Sequence, residues 1–156
     1  MKRNILLLII SLFITSAVKA EEVPYISKKI STFFELLKSD PDKAINSYFS
    51  DSVFARENQD LIKQVKAKLN VTLAQLGSYR GNEIIIRRHL LNRFVTIKYL
   101  ALFDRQPLTF QFEFYKPVNK WQIQGFTFDA NIDDLLDESI NFGIIKKLRI
   151  DSGDTD

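Results

Sequence analysis

With 156 residues, 46% of them hydrophobic and 26% charged, the chain has the size and composition of a single globular domain held by an ordinary apolar core. It contains no cysteine and one histidine, which excludes disulfides, lipid attachment at a cysteine, thiolate metal sites and a two-histidine metal centre. The formal charge of +3 comes from Lys2, Arg3 and Lys19; beyond residue 20 there remain 19 basic and 19 acidic residues, with no net basic bias toward nucleic acid or an anionic membrane.

Those first residues have the parts of a secretory signal: Lys2 and Arg3, an apolar run from Ile5 to Ile14, and Val18-Lys19-Ala20 as the cleavage site. A membrane anchor would need roughly 20 apolar residues, and Ser11, Thr15, Ser16 and Lys19 dilute the run too early. The expectation is therefore a signal over residues 1–20, a single α+β domain over 21–138, and a C-terminal extension over 139–156, disordered at its end. The mature protein is expected to be exported, periplasmic or extracellular, with neither nucleic acid nor membrane as partner once the signal is removed.

From Val23 to Leu37, apolar residues recur at steps of three and four and predict an amphipathic helix. Asp40 and Pro41 form a cap and first turn for a short second helix with Ala44, Ile45, Tyr48 and Phe49 inward and Ser50-Asp51-Ser52 at its end. A third helix is predicted from Gln59 to Leu76, with Leu61, Val65, Leu69, Leu73 and Leu76 as its stripe and Gly77 as its left-handed stop.

The period then becomes strand-like. Glu83 to Leu91, Phe94 to Phe103, Leu108 to Lys116 and Trp121 to Asp129 read as four consecutive antiparallel strands. In the third, Leu108, Phe110, Phe112 and Phe114 alternate with Thr109, Gln111, Glu113 and Tyr115. In the fourth, Trp121 and Ile123 are odd while Phe126 and Phe128 are even; a bulge at Gly125 that bends the sheet explains this better than a strand covered on both faces. Asn131 is expected to cap a final short helix over 132–138, followed by an apolar strip over 142–150 and a polar tail.

Helices, then a meander, then Phe114-Tyr115-Lys116-Pro117, Lys120-Trp121 and Gly125-Phe126-Thr127-Phe128-Asp129: in these segments the chain resembles small secreted bacterial proteins of the nuclear-transport-factor-2-like superfamily. The resemblance implies a cone, with N-terminal helices packed on a strongly curved four-stranded antiparallel sheet and a short C-terminal helix. It also implies a pocket at the open end or a dimer through the convex side. No catalytic motif of the superfamily matches, so no catalytic residue is carried across.

Two uses of the aromatics follow. Phe34, Tyr48, Phe110, Phe112, Phe126 and Phe128 are candidates to line an apolar small-molecule pocket, although the same side chains serve any core. Gln111, Glu113, Tyr115 and Trp121 are candidates for an outward patch that meets a protein partner or a second copy, with Glu113 also placed to pair with Lys98. His89 reads as a surface strand residue; no metal site and no cofactor is expected. The leading expectation is a non-enzymatic binding or dimerisation module, and the alternative a small-molecule carrier or isomerase-like enzyme that uses the interior of the cone.

Overall fold

The computed structural model describes residues 24–131. The expected signal, final helix, apolar strip and tail lie outside the described residues. Within them the chain runs α1 (Pro24–Leu37), α2 (Pro41–Tyr48), α3 (Val53–Glu57), α4 (Gln59–Leu76), then β1 (Tyr79–Leu90), β2 (Phe94–Phe103), β3 (Leu108–Tyr115) and β4 (Gln122–Asp129). The strands pair in sequence order as one open antiparallel sheet. This is the α+β arrangement the sequence predicts, helices before a four-stranded antiparallel sheet, and it is compatible with the nuclear-transport-factor-2-like fold.

Local chemistry sets the helix ends. Asp40 accepts the Lys43 backbone N–H at 2.9 Å, with Pro41 in the first turn of α2. Gly77 ends α4 with φ +83°, a left-handed conformation, and a Cβ there would lie 2.9 Å from the Asp104 Cβ. Asp104 occupies that space because it holds the start of β1, accepting the Ser78 N–H at 2.9 Å and pairing with Arg80.

Two helical expectations change. Residues 53–57 form α3, capped by Ser52, whose hydroxyl accepts the Ala55 N–H at 3.3 Å; five residues are too few to show a period. In α4 the buried stripe is Ile62, Leu69 and Leu76 with Val65 and Leu73 beside them, and Leu61 is exposed. Leu61 and Ile62 both keep helical spacing to Val65, so the period alone does not choose between them.

The sheet buries one face. Val95, Ile97, Tyr99 and Ala101 on β2 stand opposite Phe114, Phe112, Phe110 and Leu108 on β3, and all eight are buried. The Gly125 irregularity is a register shift between β3 and β4: Glu113 pairs with Gly125 but Phe114 pairs with Ile123, which leaves Gln124 as the extra residue. Its effect is to bring odd-numbered Ile123 and even-numbered Phe126 and Phe128 onto the same inner face, opposite Phe114, Phe112 and Phe110. β1 starts four residues earlier than the sequence suggests, because Gly81 between Arg80 and Asn82 imitates a turn; it too carries register shifts, at Tyr79/Gly81 and Ile84/Ile86.

Candidate functional site

The inner face is closed by rings. Phe33 and Phe34 are adjacent on α1 and both buried, so the buried face of the helix is wide there. The Phe33 ring lies 5.3 Å from Phe110, 5.2 Å from Phe112 and 5.4 Å from Phe126; Phe34 lies 5.0 Å from Tyr99 and 5.8 Å from both Phe110 and Phe112. Phe128 borders Phe110 and Phe126, with the Lys68 ammonium 5.5 Å over its ring. These centroid distances are those of rings in direct contact, mostly edge to face. All six pocket candidates, Phe34, Tyr48, Phe110, Phe112, Phe126 and Phe128, thus belong to one packed cluster.

Tyr48 brings the only polar atom among those six. Its hydroxyl donates to the Gly125 carbonyl at 3.0 Å, the backbone group turned inward by the bulge. Burial holds its phenol well above the usual tyrosine range, so it acts as a neutral donor. Among the described residues no buried side-chain nitrogen or oxygen lacks a hydrogen-bond partner, and no group of three or more Asp, Glu or His is placed to hold a metal.

A second polar centre, missed in the sequence, ties α1 to the end of α2. Lys29 reaches Asp51 at 2.8 Å, the Ser50 hydroxyl at 2.9 Å, and the carbonyls of Ser47 and Tyr48 at 3.2 and 3.3 Å. Tyr25 donates to the other Asp51 oxygen at 3.0 Å. Desolvation raises the Asp51 pKa, but hydrogen bonds from Lys29 and Tyr25 outweigh it and leave the carboxyl below its ordinary value; Tyr25 is raised, first by burial and then by Asp51. A surface cleft of about 340 Å³ opens beside them, lined by Tyr25, Lys28, Lys29, Thr32, Ser47 and Ser50. Lys29 caps the last carbonyls of α2, a structural role. Its position beside Lys28 within α1 gives no sequence signal for this, because the partners lie 18 to 22 residues away.

The outer face carries the other candidates. Gln111, Glu113 and Tyr115 share it, alternating with the buried phenylalanines of β3. Glu113 accepts from Gln111 Nε2 at 2.8 Å, and in the register Lys98 stands opposite Gln111 while Glu113 stands opposite Thr96. Tyr115 is 37% exposed with its ring 6.5 Å from Phe94. Trp121 departs from the expectation: it precedes β4 on the inward side of Ile123, is half-buried against the core, and has the Lys116 ammonium 5.0 Å over its ring. The bulge explains the difference, since it reconciles Trp121 and Ile123 with Phe126 and Phe128 on one face. His89 is exposed on β1 opposite Val95.

What accompanies Tyr115 outside is instead β2. Phe94, Leu100 and Leu102 point outward there, with Ile86 and Leu90 of β1 opposite Lys98 and Phe94. The signal was present: β2 is apolar at even as well as odd positions, the mark of a strand with apolar residues on both faces. No family model matches the chain, and no curated protein or solved structure matches it either.

Proposed function

We propose that this protein is an exported, non-enzymatic binding module of the nuclear-transport-factor-2-like type, which engages a protein partner or a second copy of itself through the outer sheet face. The observation that carries the reading is the contrast on β2 and β3: their inner side chains from Val95 to Ala101 and from Leu108 to Phe114 are buried, while Phe94, Leu100, Leu102 and Tyr115 form an apolar outer row that no part of the described core cluster includes. Polar Thr96, Lys98, Gln111 and Glu113 stand between Phe94 with Tyr115 at one end and Leu100 with Leu102 at the other, a mixed apolar and polar surface of the kind found at non-obligate interfaces. A catalytic or carrier use of the interior would need an ionisable group aimed into open space, whereas the phenol at the centre of the described rings is committed to Gly125.

The test is sedimentation and crosslinking of the wild type beside Leu100→Asp and Tyr115→Ser. The expected result is a self-associated or partner-bound species that either substitution removes while thermal stability holds. A wild type that stays monomeric and binds no protein, with both variants behaving identically, ends the reading.

A further inference from the structure

The balanced net charge hides a local imbalance at one end of the sheet. In an antiparallel meander the β1–β2 and β3–β4 turns fall at the same end, and here they are tied together. The Lys116 N–H donates to the Arg93 carbonyl at 2.7 Å, and Arg93 Nη1 donates to the carbonyls of Lys116, Pro117 and Val118 at 3.2, 3.1 and 2.7 Å. These acceptors are neutral carbonyls, so none of them offsets the guanidinium. Residues 90–96 and 114–122, the two turns and the strand ends beside them, include Arg93, Lys116 and Lys120 and contain neither Asp nor Glu. Of the carboxylates on adjoining elements, Asp51 is paired with Lys29, and Glu113, which accepts from Gln111, stands two residues back from this end opposite Thr96.

The same two turns hold large aliphatic side chains out in water. Leu91 is 79% exposed, Leu90 68% and Val118 68%. Leu91 also has φ +52° and is the only non-glycine residue with positive φ among those described. That conformation costs a branched side chain free energy that Asn or Gly would not incur. A strained, solvated leucine at a hairpin tip gains nothing within the described fold, and such a position points to something outside it. Beside these tips sits half-buried Trp121, the single tryptophan, under the Lys116 ammonium.

We infer that this end of the sheet is a docking surface for an anionic phospholipid bilayer. Leu90, Leu91 and Val118 enter the boundary between headgroups and acyl chains, Arg93, Lys116 and Lys120 meet the phosphates, and Trp121 lies at the interfacial level where indole rings concentrate. Charge complementarity favours lipid over a flat protein partner, as do aliphatic tips that project from two turns. Among the described residues no helix is long and apolar enough to cross a membrane, and the attachment inferred is peripheral. The surface borders the Phe94 and Tyr115 end of the outer row, since Leu90 pairs with Phe94, and is remote from Leu100 and Leu102; the Leu91 and Val118 variants test it without touching that row.

The experiment uses the chain from Glu21, which removes the apolar leader and keeps every described residue. Vesicles of phosphatidylcholine alone and of phosphatidylcholine with phosphatidylglycerol are sedimented with it across a salt series, and Trp121 emission is followed with brominated acyl chains as quencher. The expected result is binding to the anionic vesicles alone, weakened by salt, with Trp121 quenched. Leu91→Asn combined with Val118→Ser should lower partitioning by about tenfold or more, while Leu91→Asn by itself leaves thermal stability unchanged or raised. Lys116→Gln and Lys120→Gln should each lower it by about fivefold on anionic vesicles. Absence of binding at low salt, or binding that the tip variants leave intact, overturns the inference. A concentration-dependent dimer that Leu91→Asn dissolves, without vesicle binding, assigns the tips to a second copy and also overturns it.

Discussion

The two faces of β3 are built from neighbouring residues of one strand, yet they do different work. Leu108, Phe110, Phe112 and Phe114 point inward and are all buried, whereas Gln111, Glu113 and Tyr115 point outward and retain contact with water. The inner face is determined by volume: five rings surround Phe112 within 6 Å, contributed by α1, α2, β2 and β4. The outer face is determined by what remains accessible. Stability and recognition are thus separated by one residue of register, and substitutions on this strand should separate in the same way.

The largest effect is expected at the centre of the rings. Phe112→Ala removes a side chain that touches every described layer and leaves a cavity that edge-to-face neighbours cannot easily fill, at a cost of about 3–5 kcal/mol. Gln111→Ala, one residue away on the other face, should stay within about 0.5 kcal/mol. Denaturant unfolding of both variants measures the contrast directly; equal losses would mean that the outer face is also part of the core.

Next in size is the hydrogen bond that joins α2 to the bulge. Tyr48→Phe keeps the ring and removes the donor to the Gly125 carbonyl, which should cost about 1–2 kcal/mol because a buried acceptor loses its partner. Tyr115→Phe makes the same chemical change on the outer face and should be nearly silent. Unfolding midpoints of the two variants test this, and a silent Tyr48→Phe would mean that the bulge carbonyl finds another donor.

Much of this architecture was legible beforehand because its signals are local. The period of α1, the cap at Asp40, the alternation of β3 and the parity break around Gly125 each occupy a few consecutive residues, and each corresponds to an observed element. The tripartite Lys29, Tyr25 and Asp51 contact was not legible, since it joins residues 22 and 26 positions apart. Trp121 differs for a subtler reason: the parity break at the bulge also acts upstream, since with Ile123 inward the residue two positions before it falls on the same side. The apolar outer row of β2 leaves a trace, apolar residues at even as well as odd positions, but which set is exposed follows only once helices are placed on one side.

Gly125 is where the two faces meet, and it gives the smallest and most discriminating prediction. Its carbonyl receives Tyr48 from the inner side, while a Cβ on it would lie 2.5 Å from Glu113 Oε2 and 3.2 Å from Glu113 Cδ on the outer side. Gly125→Ala therefore overpacks against the outer carboxylate, which can move because it is the end of a flexible chain, so the cost falls near the low end for overpacking, about 1 kcal/mol. Glu113→Ala removes that obstacle and should recover most of the loss, whereas Glu113→Ala alone should be close to neutral. A double-mutant cycle by denaturant unfolding reads the coupling. If the Gly125→Ala loss persists without Glu113, the strain lies in the bulge backbone and its carbonyl to Tyr48, and the inner face rather than the outer one sets the requirement for glycine.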